Sequence, residues 1–143
     1  MGVLIDTCVW VDVERGRISP ADVELMTGQE PVFISPVSIG ELAFGVEMAV
    51  DESVRQKRAA SLERLAKKPL LLIDEMTGKI FGKLGAVLKK QGKQHAHRIQ
   101  DLWLASQAIQ YNFRFLTENI KDFRDIPGLE MLAMKPPDSA GRG

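Results

Sequence analysis

Four acids stand beside patterns that could make chemistry of them: Asp6, Glu41, Asp101 and Asp122. In "MGVLIDTCVWVD" the apolar run Val3-Leu4-Ile5 stops at Asp6, with Thr7 next to it. A short β-branched run reads as a strand buried on both faces, and the carboxyl end of such a strand is where ligands sit in parallel sheets. Asp6 is therefore either a helix cap or part of a site.

Asp101 is the acid hardest to dismiss. In "RIQDLWLASQAIQ" a rotation of ~100° per residue places Leu102, Leu104, Ala105, Ala108 and Ile109 on one arc with Asp101 in its middle. Trp103, Ser106, Gln107 and Gln110 fall on the other side. An inward carboxylate must be paired, hydrogen-bonded, bound to a cation or protonated. Glu41 lies in "SPVSIGELAFGVE", nearly opposite a stripe of Ile39, Leu42, Ala43, Val46 and Val50. Alone it reads as a solvated helix glutamate, yet Phe44 and Met48 share its face and suggest that something covers it. In "FRFLTENIKDF" a strand ends in Thr117 and is followed by Asn119 and Asp122, which taken singly describe an ordinary turn.

Their convergence is what gives these residues chemical meaning. Asp6 and the turn from Thr117 to Asp122 both follow predicted strands, whose carboxyl ends share one edge of an open parallel sheet. Carboxylates gathered there raise one another's pKa unless a cation neutralises them, and oxygen ligands alone favour Mg²⁺ or Mn²⁺ over zinc or copper.

The elements that must carry these acids alternate. Apolar runs at Val3–Ile5, Val32–Ile34, Leu70–Ile73, Phe113–Leu116 and Leu129–Leu132 are separated by helical patterns at Val9–Glu14, Pro20–Gly28, Val37–Val50, Glu52–Lys67, Thr77–Lys90 and Ile99–Tyr111. That alternation predicts an α/β domain with a mainly parallel central sheet over residues 1–134 and a disordered Pro- and Gly-rich tail over 135–143. With 143 residues, 45% of them apolar, one domain can bury its own core. The lone Cys8 and the missing signal pattern lead us to expect a cytoplasmic protein, and no apolar run approaches a membrane span. Nineteen acids balance nineteen bases, but Met76 to Gln100 contains no acid while holding Lys79, Lys83, Lys89, Lys90, Lys93 and Arg98 with His95 and His97. The neutral total conceals a basic segment, able to hold phosphates or simply solvated.

"LIDTCVWVD", "SPVSIGELAFGVE", "IQDLWLASQAI" and "FLTENIKDF" followed by "IPGLEM" resemble, in order and spacing, the PIN-domain ribonucleases of bacterial toxin–antitoxin pairs, the VapC family. The resemblance runs from the first strand to the last. It implies a three-layer α/β/α domain, a homodimer, and inhibition by a cognate antitoxin through which operator DNA is reached. It also implies an acidic site at Asp6, Glu41 and Asp101 with Asn119 and Asp122 in the fourth motif, and matches Thr7 to a hydroxyl residue that commonly follows the first aspartate. Cys8 and Asn119 depart from common family residues, and Glu118 is not carried over.

On this reading the protein hydrolyses RNA phosphodiesters with Mg²⁺, or Mn²⁺, held by Asp6, Asp101 and either Glu41 or Asp122, with Thr7, Thr117 and Asn119 in support. An aspartyl phosphatase would need a second aspartate where Cys8 stands. A receiver domain would leave Asp101 unused, and no Gly-Lys-Ser/Thr loop supports a nucleotide site. The rival from another class is a DNA-binding regulatory partner of an antitoxin whose acids are structural.

Overall fold

The computed structural model describes residues 1–93 and 98–137. Four strands, β1 (Val3–Ile5), β2 (Val32–Phe33), β3 (Arg114–Thr117) and β4 (Met131–Ala133), alternate with seven helices. These are α1 (Thr7–Glu14), α2 (Pro20–Thr27), α3 (Pro36–Met48), α4 (Glu52–Leu65), α5 (Glu75–Lys90), α6 (Ile99–Tyr111) and α7 (Ile120–Phe123). All strand pairs are parallel, in the order β2-β1-β3-β4.

β1 is central, which explains its unbroken apolar run. Leu4 joins Phe115, Leu84, Leu88, Leu102, Leu104 and Phe123 on one face of the sheet, while Val3 and Ile5 join Leu116, Val9, Trp10, Ile34 and Leu65 on the other. Two aliphatic layers, built by α5, α6 and α7 on one side and by α1, α2 and α4 on the other, give the expected α/β/α sandwich. After β2 the chain crosses back over β1 to form β3, so strand order reverses between β1 and β3. That reversal opens a crevice at the carboxyl ends of these two strands.

Caps explain why several helices differ from their apolar periodicity. Asp6 accepts from Thr7 N, so α1 starts two residues earlier than expected. Ser35 caps α3 ahead of Pro36, and Asp74 forms a capping box with Thr77 that draws the start of α5 back to Glu75. The turn after β3 is itself a short helix, α7.

Three expectations are corrected. Residues 70–73 do not form a strand and keep only a parallel bridge between Ile34 and Leu70. Side chains of α6 take the carbonyls that a neighbouring strand would need: Gln107 Nε2 donates to Leu71 O and Tyr111 Oη to Leu72 O at 3.1 Å. For the same reason Ser106 and Gln107, expected to face away from the core, are fully buried. Ser106 Oγ returns its proton to Leu102 O at 2.6 Å, and Gln107 Oε1 accepts from Ser35 Oγ. Val50 lies beyond the end of α3 and is fully exposed instead of completing its stripe. His95, His97 and residues 138–143 of the expected tail lie outside the described residues.

Gln107 thus satisfies two buried groups at once. Gln107→Ala leaves the Leu71 carbonyl and the Ser35 hydroxyl without it and opens a cavity, so unfolding in urea should show a loss of about 2–4 kcal/mol. A loss below ~1 kcal/mol would contradict this role.

Candidate active site

The crevice between β1 and β3 is a cleft of about 380 Å³ lined by Asp6, Thr7, Glu41, Asp101, Asn119 and Asp122. Every acid expected from the sequence reaches it. Thr117 stands behind Asp6, fully buried, and acts on the cleft through that residue.

Asp6 sits where β1 hands over to α1. Its backbone N donates to Leu116 O at 2.9 Å, which extends the pairing of β1 with β3 by one residue and fixes the carboxylate at the sheet edge. Oδ1 accepts from Thr7 N at 2.8 Å, and Oδ2 from Thr117 Oγ1 at 2.7 Å and Cys8 Sγ at 3.5 Å. Asp6 therefore caps α1 and lines the cleft at once. Thr117 Oγ1 also accepts from Asn119 N at 3.0 Å, so the same hydroxyl ties the fourth motif to the first.

Glu41 is not a solvated glutamate. Thr7 Oγ1 donates to Glu41 Oε1 at 3.1 Å and lies 2.7 Å from Ser38 Oγ. Because Thr7 has one proton and gives it to the carboxylate, Ser38 must donate to Thr7, and the three form a directed chain. Its helical wheel hid this, since the wheel orders residues around α3 without showing that Thr7 of α1 meets its polar side. Phe44 and Met48, 67% and 62% exposed, do lie on open surface.

Asp101 enters from the first turn of α6, and Asp122 stands exposed at the rim on α7. Arg98 joins their two elements: it grips Asp125 with Nη1 at 2.8 Å and Nη2 at 2.7 Å and donates to the Asp122 carbonyl. Lys93 adds a contact to Asp125 at 3.1 Å. Held by both cations, Asp125 is drawn down to about 2.

The carboxylates of the cleft move the other way. Burial first, then the charges of Asp6, Asp122 and Glu41, raise Asp101 to about 6, against the opposing pull of Arg98. Burial also raises Asp6 and Glu41, partly offset by their hydrogen bonds from Thr117 and Thr7. Because the folded pKa of Asp101 lies above its ordinary value of 3.8, the folded state binds this proton more tightly than the unfolded chain. The stability it contributes when protonated is complete below pH 3.8 and is lost as pH rises through about 6. Burial, with Asp6 and Glu118 nearby, pushes the Cys8 thiol up, so it remains a neutral donor at neutral pH and not a nucleophile.

No three His, Cys, Asp or Glu side chains among the described residues are drawn together as a ready cage for an ion. The donors are oxygens held under mutual repulsion, which suits a hydrated cation that takes one or two carboxylates and keeps its own waters. Glu118, buried beside Cys8, does not line the cleft.

Sequence reasoning passed over other lining groups, Ser38 apart from the cleft wall but bonded to it, and Asp12, Arg15 and Arg17 within it. A signal was present: Cys8, Val11, Asp12 and Arg15 follow the i, i+3, i+4, i+7 spacing of one helix face. The basic segment contributes less than its composition suggests. Lys79 pairs with Glu75 at 3.4 Å, Lys93 and Arg98 serve Asp125, and none of Lys79, Lys83, Lys89 and Lys90 lines the cleft.

Comparison with known proteins agrees with this geometry. The PIN domain family profile matches residues 3–129. Ribonuclease VapC of Rickettsia bellii is 31% identical over 141 residues, covering 96% of this chain and 100% of the relative. Ribonuclease VapC5 of Mycobacterium tuberculosis is 30% identical, covering 87% of each. The fold is similar to that in the crystal structure of VapBC2 from Rickettsia felis bound to a promoter DNA fragment, with a TM-score of 0.81 at 23% identity over 94% of this chain and 100% of that one. It is also similar to VapBC-5 from Mycobacterium tuberculosis, with a TM-score of 0.73 at 27% identity over 93% of this chain and 98% of that one. A profile spanning nearly the whole domain, and a relative above 30% identity from end to end, establish that the chain belongs to the PIN-domain family and, within it, to the VapC ribonucleases.

Proposed function

We propose that this protein is a Mg²⁺-dependent endoribonuclease and the toxin of a toxin–antitoxin pair. The observation that carries the reading is the cluster of acids whose burial and repulsion a divalent cation would relieve. Relatives named as ribonucleases support RNA as the substrate class. Asp6 and Asp101 would hold Mg²⁺, or Mn²⁺ in its place, with Glu41 and Asp122 completing the acidic ring. When bound, the ion supplies charge neutralisation at the phosphate and a lowered pKa for attacking water.

The residues of the chain supply orientation. Thr117 and the Thr7 amide lock both oxygens of Asp6, and the Ser38–Thr7–Glu41 chain aims the second carboxylate. Arg98, by holding α6 to α7, keeps Asp101 and Asp122 on one side of the cleft. Asn119 donates to Cys8 Sγ at 3.6 Å and steadies the loop between β3 and α7.

Solved relatives are toxin–antitoxin complexes, one of them on promoter DNA, and we extend that arrangement to this chain. A cognate antitoxin covers the acidic cleft, an arginine from it standing in for the cation, and operator DNA is reached only through the antitoxin. The protein works in the cytoplasm as a homodimer, with Phe44 and Met48 at an interface. No helix among the described residues is long and apolar enough to cross a membrane.

Purified protein should cleave RNA with Mg²⁺ or Mn²⁺ and stop on chelation, and either ion should raise the melting temperature by mass action. Asp6→Asn should abolish cleavage and most of that thermal shift. Cleavage that survives chelation, or an unchanged shift in the variant, would refute the metal site and favour structural acids. For the partners, Phe44→Glu should weaken self-association or antitoxin binding in sedimentation experiments while cleavage persists. Unchanged affinity for both would place the interfaces elsewhere.

A further inference from the structure

The acidic cleft opens into a second, longer groove of about 2110 Å³ between α1–α2 and α3–α4. Thr7, Val11, Arg15, Arg17 and Glu41 line both. Two guanidiniums therefore stand where one space becomes the other.

The turn that carries them is built firmly. Arg15 closes α1, and Gly16 follows at φ 73°, a left-handed conformation that a side chain would disfavour. Arg17 N and Ile18 N both return to Asp12 O, at 2.8 and 3.2 Å. Asp12, only 5% exposed, reaches Arg17 Nη1 at 3.7 Å. Backbone and side chain thus fix the same turn, leaving Arg15 exposed at the mouth with Arg17 half-buried beneath it.

Beyond the turn the groove remains electropositive. Lys57, Arg58 and Lys135 line it, while of its acids Glu14 is bound to Arg64 by hydrogen bonds of 2.9 and 2.7 Å and Asp22 forms the capping box of α2 with Ser19. An anionic strand laid along this route meets more cations than acids, the remaining acids being Asp22 and, where the cleft opens, Glu41. Charge balance for the acids would account for one half-buried arginine, but not for an exposed second one or for a basic path leading away. The lysines of α5 at Lys83, Lys89 and Lys90 line neither space.

We propose that Arg15 and Arg17 form a phosphate clamp that guides single-stranded RNA from this groove into the acidic cleft. The proposal rests on the ribonuclease reading and names the path of its substrate. Planar guanidinium forks match phosphate oxygens, and Asp12 is a positioning residue that aims Arg17. The scissile phosphate lies beyond the clamp, among the acids.

Binding of a fluorescent 2′-O-methyl RNA strand of about 12 nucleotides to the full chain with a chelator present, followed by anisotropy across salt concentrations, tests this without cleavage. Arg15→Gln should weaken affinity about tenfold and make the logarithmic salt dependence shallower by about 0.7. Arg17→Lys, which keeps the charge beside Asp12 but loses the fork, should weaken it less. Lys83→Gln combined with Lys90→Gln should change little. With unmodified RNA, Arg15→Gln should raise KM and leave kcat nearly unchanged. Wild-type affinity in Arg15→Gln, equal losses in the lysine variant, or loss of antitoxin binding alone would overturn the clamp. Binding by the wild type without cleavage of unmodified RNA in Mg²⁺ would instead refute the nuclease reading and leave the clamp standing.

Discussion

Like charges crowded at the carboxyl edge of a parallel sheet are the constraint to which the rest of this structure answers. Asp6, Glu41 and Asp101 are each harder to ionise than a free carboxylate, through burial and through one another. Such an arrangement destabilises the metal-free protein, and it persists because the stabilising contacts lie elsewhere. Two aliphatic clusters, one on each face of the sheet, hold the strands that end in the cleft. Folding energy and catalytic geometry are thus carried by different residues, and the strand reversal between β1 and β3 is where they meet.

Repulsion alone would scatter the acids, so each is tethered by a neutral group or a distant ion pair. Hydroxyls and amides serve Asp6 and Glu41, since they orient a carboxylate without neutralising it as an adjacent lysine would. Asp101 and Asp122 depend instead on Arg98, whose charge is largely engaged by Asp125. The cleft therefore keeps its negative potential while its walls are rigid, the preorganisation that charge stabilisation in a transition state requires. Two arginines, Arg15 and Arg17, line its opening toward the longer groove, on the route proposed for a phosphate chain.

Much of this was legible in the residues. Val3–Ile5 ending on Asp6, and Asp101 set in an apolar arc, announced carboxylates that a plain surface cannot explain, and both stand in the cleft. What could not be read depended on contacts between distant segments. Residues 70–73 have the composition of a strand, but Gln107 and Tyr111, more than thirty residues away, take their carbonyls. Glu41 looked solvated because its partner Thr7 lies on another helix. The basic run before Asp101 drew attention by composition, whereas Arg15 and Arg17 gain their place only through the turn at Gly16 and the approach of α1 to α3.

Repulsion among the acids of the cleft is what the proposed divalent cation would relieve. The most direct measurement is the pH titration of the Asp101 carboxyl carbon by NMR, with and without Mg²⁺. A midpoint near 6 is expected in the metal-free protein, moving below the ordinary carboxylate range when Mg²⁺ is present. A midpoint near 4 that is indifferent to Mg²⁺ would mean that the acids neither strain one another nor bind the ion, and would contradict this expectation.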